Sequence, residues 1–287
     1  MARCGVQLCR IDFPEVGQAY IVTNRLVGKF IAALAGGLLL LYLALPLIVV
    51  LTRAIEAGLL DQLAQPTVAQ ALRLSLITTP ISTLITIGLG TPLAYRLARS
   101  RVRGRSIIET LLDIPIVLPP AVAGLALLLT FGRRGLLGPL LDQLDISLPF
   151  TTAAVVMAQT FVAAPFYIRS AQTGFANVPH QLEESASDLG ANHWQVFRRI
   201  TLPLAGPALL SGRILTWARA LGEFGATILF AGNFSGRTQT MPLAIYQALE
   251  SDLGAAIAIA AILIGLSFVF LLALRAVTHN RVTHPML

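Results

Sequence analysis

The sequence predicts an all-α integral membrane protein with six transmembrane helices. Three observations carry that expectation: a lack of charge, a set of long uncharged runs, and a lopsided distribution of basic residues. The chain has 287 residues, 55% of them hydrophobic and 12% charged, with a mean hydropathy of +0.75. A soluble domain carries about 25% charged residues, so half that value points to a chain that lives in lipid. The formal net charge of +7 does not indicate nucleic acid, because the basic residues sit beside apolar runs rather than along one soluble face.

The spans follow in chain order. Four uncharged runs, Phe30–Thr52, Leu74–Tyr95, Ile146–Ile168 and Leu253–Leu274, contain 22 or 23 residues each, and a fifth, Ile114–Gly132, has 19. A helix needs about 20 apolar residues to cross the hydrocarbon core. A sixth segment, 204–231, is apolar but carries Arg213, Arg219 and Glu223. Residues 1–29 read as a lead, 30–276 as the membrane domain and 277–287 as a tail. The first run exceeds the apolar core of a signal peptide and no clean small-residue cleavage site follows it, so it reads as retained. Cys4 and Cys9 lack CxxC spacing and read as ordinary thiols. Pro80 and Pro92 interrupt the second span, and Pro115, Pro119 and Pro120 crowd the start of the third. Each removes a backbone donor and bends a helix, either as packing irregularity or as part of a path that opens and closes.

Orientation follows from lysine and arginine. Fourteen of them fall before the first span (Arg3, Arg10, Arg25, Lys29), after the second (Arg96, Arg99, Arg101, Arg103, Arg105), after the fourth (Arg169, Arg198, Arg199) and in the tail (Arg275, Arg281). Five lie in the opposite loops: Arg53, Arg73, Arg133, Arg134 and Arg237. Both termini are expected in the cytoplasm of a bacterial or archaeal cell, in a multi-pass inner membrane protein. Arg99–Arg105 reads as topology and lipid contact. Arg133 and Arg134, on the outer face, suit either headgroups or an acidic partner.

Between the fourth and fifth spans lies EESASDLGANHWQVFRRITLP, residues 183–203. Pro179 suits the first turn of a helix. Leu182, Ala186 and Leu189 follow at spacings of four and three and form one apolar edge. Gly190 can take the positive φ that ends that helix. Asn192 with Gln195 makes a capping box for a second, whose apolar side is Val196, Phe197 and Ile200 and which Pro203 is expected to limit. Helix–Gly–helix over 179–203 suits either a lipid surface or a protein partner. The acidic Glu183, Glu184 and Asp188 favour the protein, since lipid-surface helices carry lysine and arginine.

These residues resemble the membrane subunit of ATP-binding cassette importers of the first structural type. That family's pattern E-A-A-x3-G-x9-I-x-L-P is matched by Glu184, Ser185, Ala186, Gly190, Ile200, Leu202 and Pro203, with Ser185 in place of the middle alanine. LLDIPIVLPPAVAGLALLLTFGRRGLLG (111–138) and ARALGEFGATILFAGNFSGRTQTMPLAIYQALE (218–250) are similar to the molybdate permease branch, with sulfate permeases as near neighbours. The likeness covers about 68–276. It implies a six-helix permease fold and a coupling element at 179–203 that sits in a cleft of a cytoplasmic ATPase dimer. It also implies an extracytoplasmic oxyanion-binding protein outside, a second copy of the chain to complete the path, and molybdate or tungstate as cargo. No cofactor is expected on this chain, with ATP and magnesium held by the partner ATPase.

The fifth segment carries the remaining chemistry. Arg219 and Glu223, four apart on one helical face, can pair within the membrane, with Thr227 in line four residues on. They read either as a structural ion pair or as lining of the path or its gate. A glutamate beside the arginine cancels much of its field, so no tight anion site is expected. No H-E-x-x-H, G-x-S-x-G or nucleotide-binding G-x-x-x-x-G-K-[ST] occurs, so the chain is not expected to be an enzyme. An intramembrane enzyme and a transporter driven by an ion gradient are the rival classes; metal-dependent activity of the chain alone, or uptake without ATP, distinguishes them.

Overall fold

The structure, a computed structural model, describes residues 16–282 except 60, 61, 63, 64 and 100–102. Expectations for residues 1–15, Arg101 and 283–287 lie outside the described residues. Every regular element described is helical. Backbone in hydrocarbon must satisfy its own polar groups, and a helix does so within one segment. The chain divides into two units, Met1–Thr52 and Arg53–Leu287.

The first unit is most of helix α1, Val16–Glu56. Residues 16–29, in the expected lead, are therefore helical. Almost every side chain from Phe30 to Thr52 is exposed, and they are nearly all apolar. A helix apolar all round with nothing packed on it within its own unit is what a lipid-facing span requires.

The second unit is built around three helices, α2 (Pro66–Arg99), α6 (Thr152–Ala176) and α9 (Leu202–Leu221). Helix α6 packs against both of the others and is buried for most of its length. Small residues allow the close approach that lipid-embedded helices need: Ala158, Ala163 and Ala171 of α6 are fully buried. The Thr216 hydroxyl of α9 donates to the Ala163 carbonyl at 3.3 Å and Ser170 of α6 donates to the Ala208 carbonyl at 2.7 Å. On α2 the buried face is a row of hydroxyls, Ser75, Thr78, Thr79, Ser82, Thr83 and Thr86.

Two expected spans are broken rather than straight. The third is a pair, α3 (Arg105–Val117) and α4 (Pro120–Phe131), bent by 116°. Leu118 and Pro119 are extended at the bend, because Pro119 and Pro120 supply no N–H and the residue before a proline avoids the helical region. The fifth splits into α9 and α10 (Gly225–Phe230), with Gly222, Glu223 and Phe224 between them. Among the described residues three helices are long and apolar enough to cross a membrane, over Lys29–Glu56, Pro66–Arg99 and Leu253–Leu272, and the bent pair makes a fourth candidate.

A short helix α5 (Gly138–Gln143) joins α4 to α6. Helix α11 (Met241–Ser251) and the long α12 (Leu253–Val282) follow α10. The Met241 N–H donates to Ser75 Oγ at 2.9 Å, which ties the start of α11 to the first half of α2. The Asp252 carboxylate accepts from the N–H groups of Gly254 and Ala255 and caps α12.

Candidate functional site

The helix–Gly–helix element folds as its sequence dictates, with two differences. Helix α7 spans His180–Asp188, so Pro179 is its N-cap and not its first turn. Gly190 then adopts φ +89°, a conformation that other residues reach only with strain. Asn192 opens α8 (His193–Val196) with a complete capping box: its side chain accepts from Gln195 N–H and the Gln195 side chain accepts from Asn192 N–H, both at 2.9 Å. Pro203 does not limit this second helix. A π-helical segment, Phe197–Thr201, runs directly into α9. Pro203 falls in the first turn of α9, where its missing donor costs little. The apolar edge is left uncovered by this chain: Leu189 is 90% exposed, and Leu182 is exposed as well, as is Trp194 of α8.

Of the motif residues, Glu184, Ser185, Gly190 and Pro203 are exposed, and Ala186, Ile200 and Leu202 are half-buried. Glu183, its neighbour in sequence, turns the other way. Its Oε1 accepts from Arg99 Nη2 at 2.9 Å and from the Thr201 hydroxyl. The same Arg99 nitrogen donates to the Val178 carbonyl at 3.0 Å, and Arg99 Nη1 lies 3.0 Å from His180 Nε2. Arg99 is thus not a lipid-contact residue, while Arg105, half exposed, pairs with Glu109 at 2.7 Å. Sequence reading missed the Arg99–Glu183–Thr201 cluster because its members are 84 and 18 positions apart, beyond any helical or strand period. Beneath it, Phe197 packs edge-on to Tyr95 of α2 at 5.1 Å and against Phe175 of α6 at 6.2 Å, with Trp194 stacked on it at 5.8 Å. Close by in sequence on α6, Arg169 forks onto the Asp113 carboxylate and donates to the Glu109 carbonyl at 2.9 Å, which joins α6 to α3.

The intramembrane pair forms as expected, at the break in the fifth span. Arg219 Nη1 lies 2.8 Å from Glu223 Oε2, with the arginine side chain 28% exposed and the glutamate 1%. Glu223 also accepts from the Ala226 N–H at 2.9 Å, so it caps the helix that follows the break. Thr227, four residues on, lies across the break on α10. It is fully buried and its hydroxyl has no partner among the described residues. Helix α10 is pressed onto α4: a Cβ on Gly124 would stand 2.7 Å from the Ala226 carbonyl oxygen and 2.9 Å from Leu229 Cβ.

The family of binding-protein-dependent transport system inner membrane components matches residues 86–282, which take in the end of α2, the helix–Gly–helix element and the broken fifth span. The chain belongs to that family. This permease is 41% identical over 235 residues to the molybdenum transport system permease protein ModB of Mycobacterium tuberculosis, covering 82% of this chain and 88% of the relative. It is 36% identical over 252 residues to the sulfate transport system permease protein CysW of Synechococcus elongatus, covering 85% and 88%. Among solved structures, a bacterial alginate ABC transporter, in complex with an alginate pentasaccharide-bound periplasmic protein, contains a chain that superposes on the permease with a TM-score of 0.67 at 17% identity, covering 92% of this chain and 94% of that one. At that identity the likeness speaks for the fold alone.

Proposed function

We propose that this permease is the membrane-spanning subunit of an ATP-driven importer for molybdate or tungstate. The observation that carries the coupling half of this reading is the exposed tip of the helix–Gly–helix element. Leu182, Leu189 and Trp194 offer apolar area and Glu184 a charge, while the base of the element is fixed to α2 and α6. An uncovered apolar tip on a fixed base suits a cleft in a protein partner, here a cytoplasmic ATPase dimer that holds ATP and magnesium. Closure of that dimer moves the two tips, and the helices they are fixed to swing between inward-open and outward-open states. Such a change is driven only if the partner contacts differ in the two states.

The cargo half rests on the relatives named as molybdenum permeases and on GEFGAT and GRTQTMPLAIY in this chain. No dense basic pocket occurs among the described residues, and Arg219 is paired with Glu223. Selectivity therefore lies with an extracytoplasmic oxyanion-binding protein, and the path itself binds weakly, as conduction requires. Two copies of the chain complete the path, two-fold pairing being the commonest assembly. Both termini face the cytoplasm, in line with the fourteen-to-five division of basic residues. Arg219, Glu223 and Thr227 mark the break in the fifth span as the hinge of the gate.

Uptake into liposomes tests the reading. The complex with its ATPase and binding protein should accumulate molybdate and tungstate only when ATP is supplied. Sulfate accumulated as efficiently as molybdate would place the protein with the sulfate relative instead. Uptake driven by an ion gradient without ATP would refute the importer reading itself.

A further inference from the structure

We propose that Arg99 is a positioning residue for energy coupling: it fastens the base of the coupling element to the end of α2, so that movement of the exposed tip becomes movement of that helix. The inference rests on the coupling role proposed above and adds the route by which the movement leaves the element. Arg99 is in the last turn of α2. Its side chain is 8% exposed and that of Glu183 is 14% exposed, an unusual depth for an ion pair at a helix end. Each end of the pair is doubly held. Arg99 donates to the Glu183 carboxylate and to the Val178 carbonyl. Glu183 also accepts from Thr201, the last residue of the π-helical segment. The cluster therefore joins four pieces of chain: the end of α2, the turn after α6, helix α7 and the start of α9. Phe197 and Tyr95 make a second contact between the element and α2 on the apolar side.

The division of labour between neighbours follows from this geometry. Glu184 points outward, where a partner can meet it. Glu183 points inward and offers little surface, its side chain being 14% exposed. A link made only of apolar contact lets one element slide over another. A carboxylate held at once by a guanidinium and a hydroxyl has one geometry, and breaking it leaves a shielded charge unpaired. The link should thus stay closed while the tip moves, and α2 should follow the tip.

The test uses the complete transporter in liposomes, with Arg99→Gln, Glu183→Gln, the double variant and Arg99→Lys. Thermal stability and co-purification with the ATPase are measured alongside the number of oxyanions imported per ATP. Allosteric couplings of ordinary size correspond to factors of about 5 to 150. Each single glutamine variant should retain the ATPase but lose at least about 5-fold in oxyanions imported per ATP and in stimulation of hydrolysis by the loaded binding protein. The double variant should be no worse than either single one, because the two residues act as one link. Arg99→Lys, which keeps the charge, should recover part of the loss. Wild-type import per ATP in both single variants would overturn the proposal, as would loss of ATPase binding or of the folded chain in both, which would make the pair merely structural. Gly190→Val at the tip is run in parallel. If it uncouples while the Arg99 and Glu183 variants do not, only this inference falls. If it too imports at the wild-type rate with normal assembly, the coupling role of the whole element falls.

Discussion

Removing Arg219 should damage the fold far more than removing the charge of Glu223. Glu223 is the buried member of the pair, and it holds both Arg219 and the Ala226 N–H. Arg219→Met leaves the carboxylate buried and unpaired, and breaking a buried pair in this way costs about 3–5 kcal/mol. Glu223→Gln keeps an amide oxygen that can still accept from Ala226, and the arginine it leaves behind is 28% exposed and can reach water or headgroups. The loss there is that of one ion pair whose arginine can turn to water, a smaller cost than leaving a buried carboxylate unpaired. With roughly 2–4 °C of melting temperature per kcal/mol for a domain of this size, Arg219→Met should melt at least about 6 °C below the wild type. Glu223→Gln should lie between the two, and the double variant should be no worse than Arg219→Met alone. Thermal unfolding of detergent-purified protein, followed by loss of the monodisperse peak in size exclusion, measures all of these. A Glu223→Gln variant less stable than Arg219→Met would refute the reasoning, since the cost would then lie with the arginine or with the cap.

Further outcomes follow from the same contacts. Gly124→Leu should prevent α10 from seating on α4 and lower the yield of folded protein, while Gly124→Ala should cost about 1–3 kcal/mol, read as a lower melting temperature. Leu189→Asp, on an exposed position, should leave stability unchanged and reduce co-purification with the ATPase. In a background without Cys4 and Cys9, a cysteine at Ser235 should react with an impermeant thiol reagent added outside cells. One at His193 should react only after the membrane is opened, and the reverse pattern would invert the proposed orientation.

The sequence made the helices legible wherever a run of uncharged residues exceeded the thickness of a bilayer, since that is a statement about composition alone. Pro46 inside α1 and Pro80 and Pro92 inside α2 did not break them, since each removes a single backbone donor. The pair Pro119–Pro120 did break the third span, since two successive residues there lack donors. The split of the fifth span was less visible, as Gly222 and Glu223 are compatible with a continuous helix. What ends α9 is a side chain reaching forward: the Glu223 carboxylate satisfies the Ala226 N–H and starts α10 afresh. In the coupling element, Asn192, Gln195 and Gly190 were legible because capping and positive φ are local requirements. The inward turn of Glu183 was not, because its partner Arg99 comes from another helix.

Helix α2 therefore has a particular place in the molecule. Near its first turns, Ser75 Oγ accepts from Met241 N–H at the start of α11, and Gln70 accepts from the Ser235 hydroxyl at 3.3 Å. At its last turn, Arg99 and Tyr95 hold the coupling element. The helix is continuous over all of its 34 residues, about 50 Å at 1.5 Å per residue, which is long enough to span the membrane and project from it. The fifth span also starts at the coupling element, but its break at 222–224 interrupts it before the far side. Along α2 the chain thus runs from the helix–Gly–helix element to the Met241 contact without a break, whereas along α9 it meets the break beside the Arg219–Glu223 pair. In the coupling proposed above, the two helices take different parts. The unbroken helix is suited to carry movement to the far-side loop, and the broken one to change shape in response.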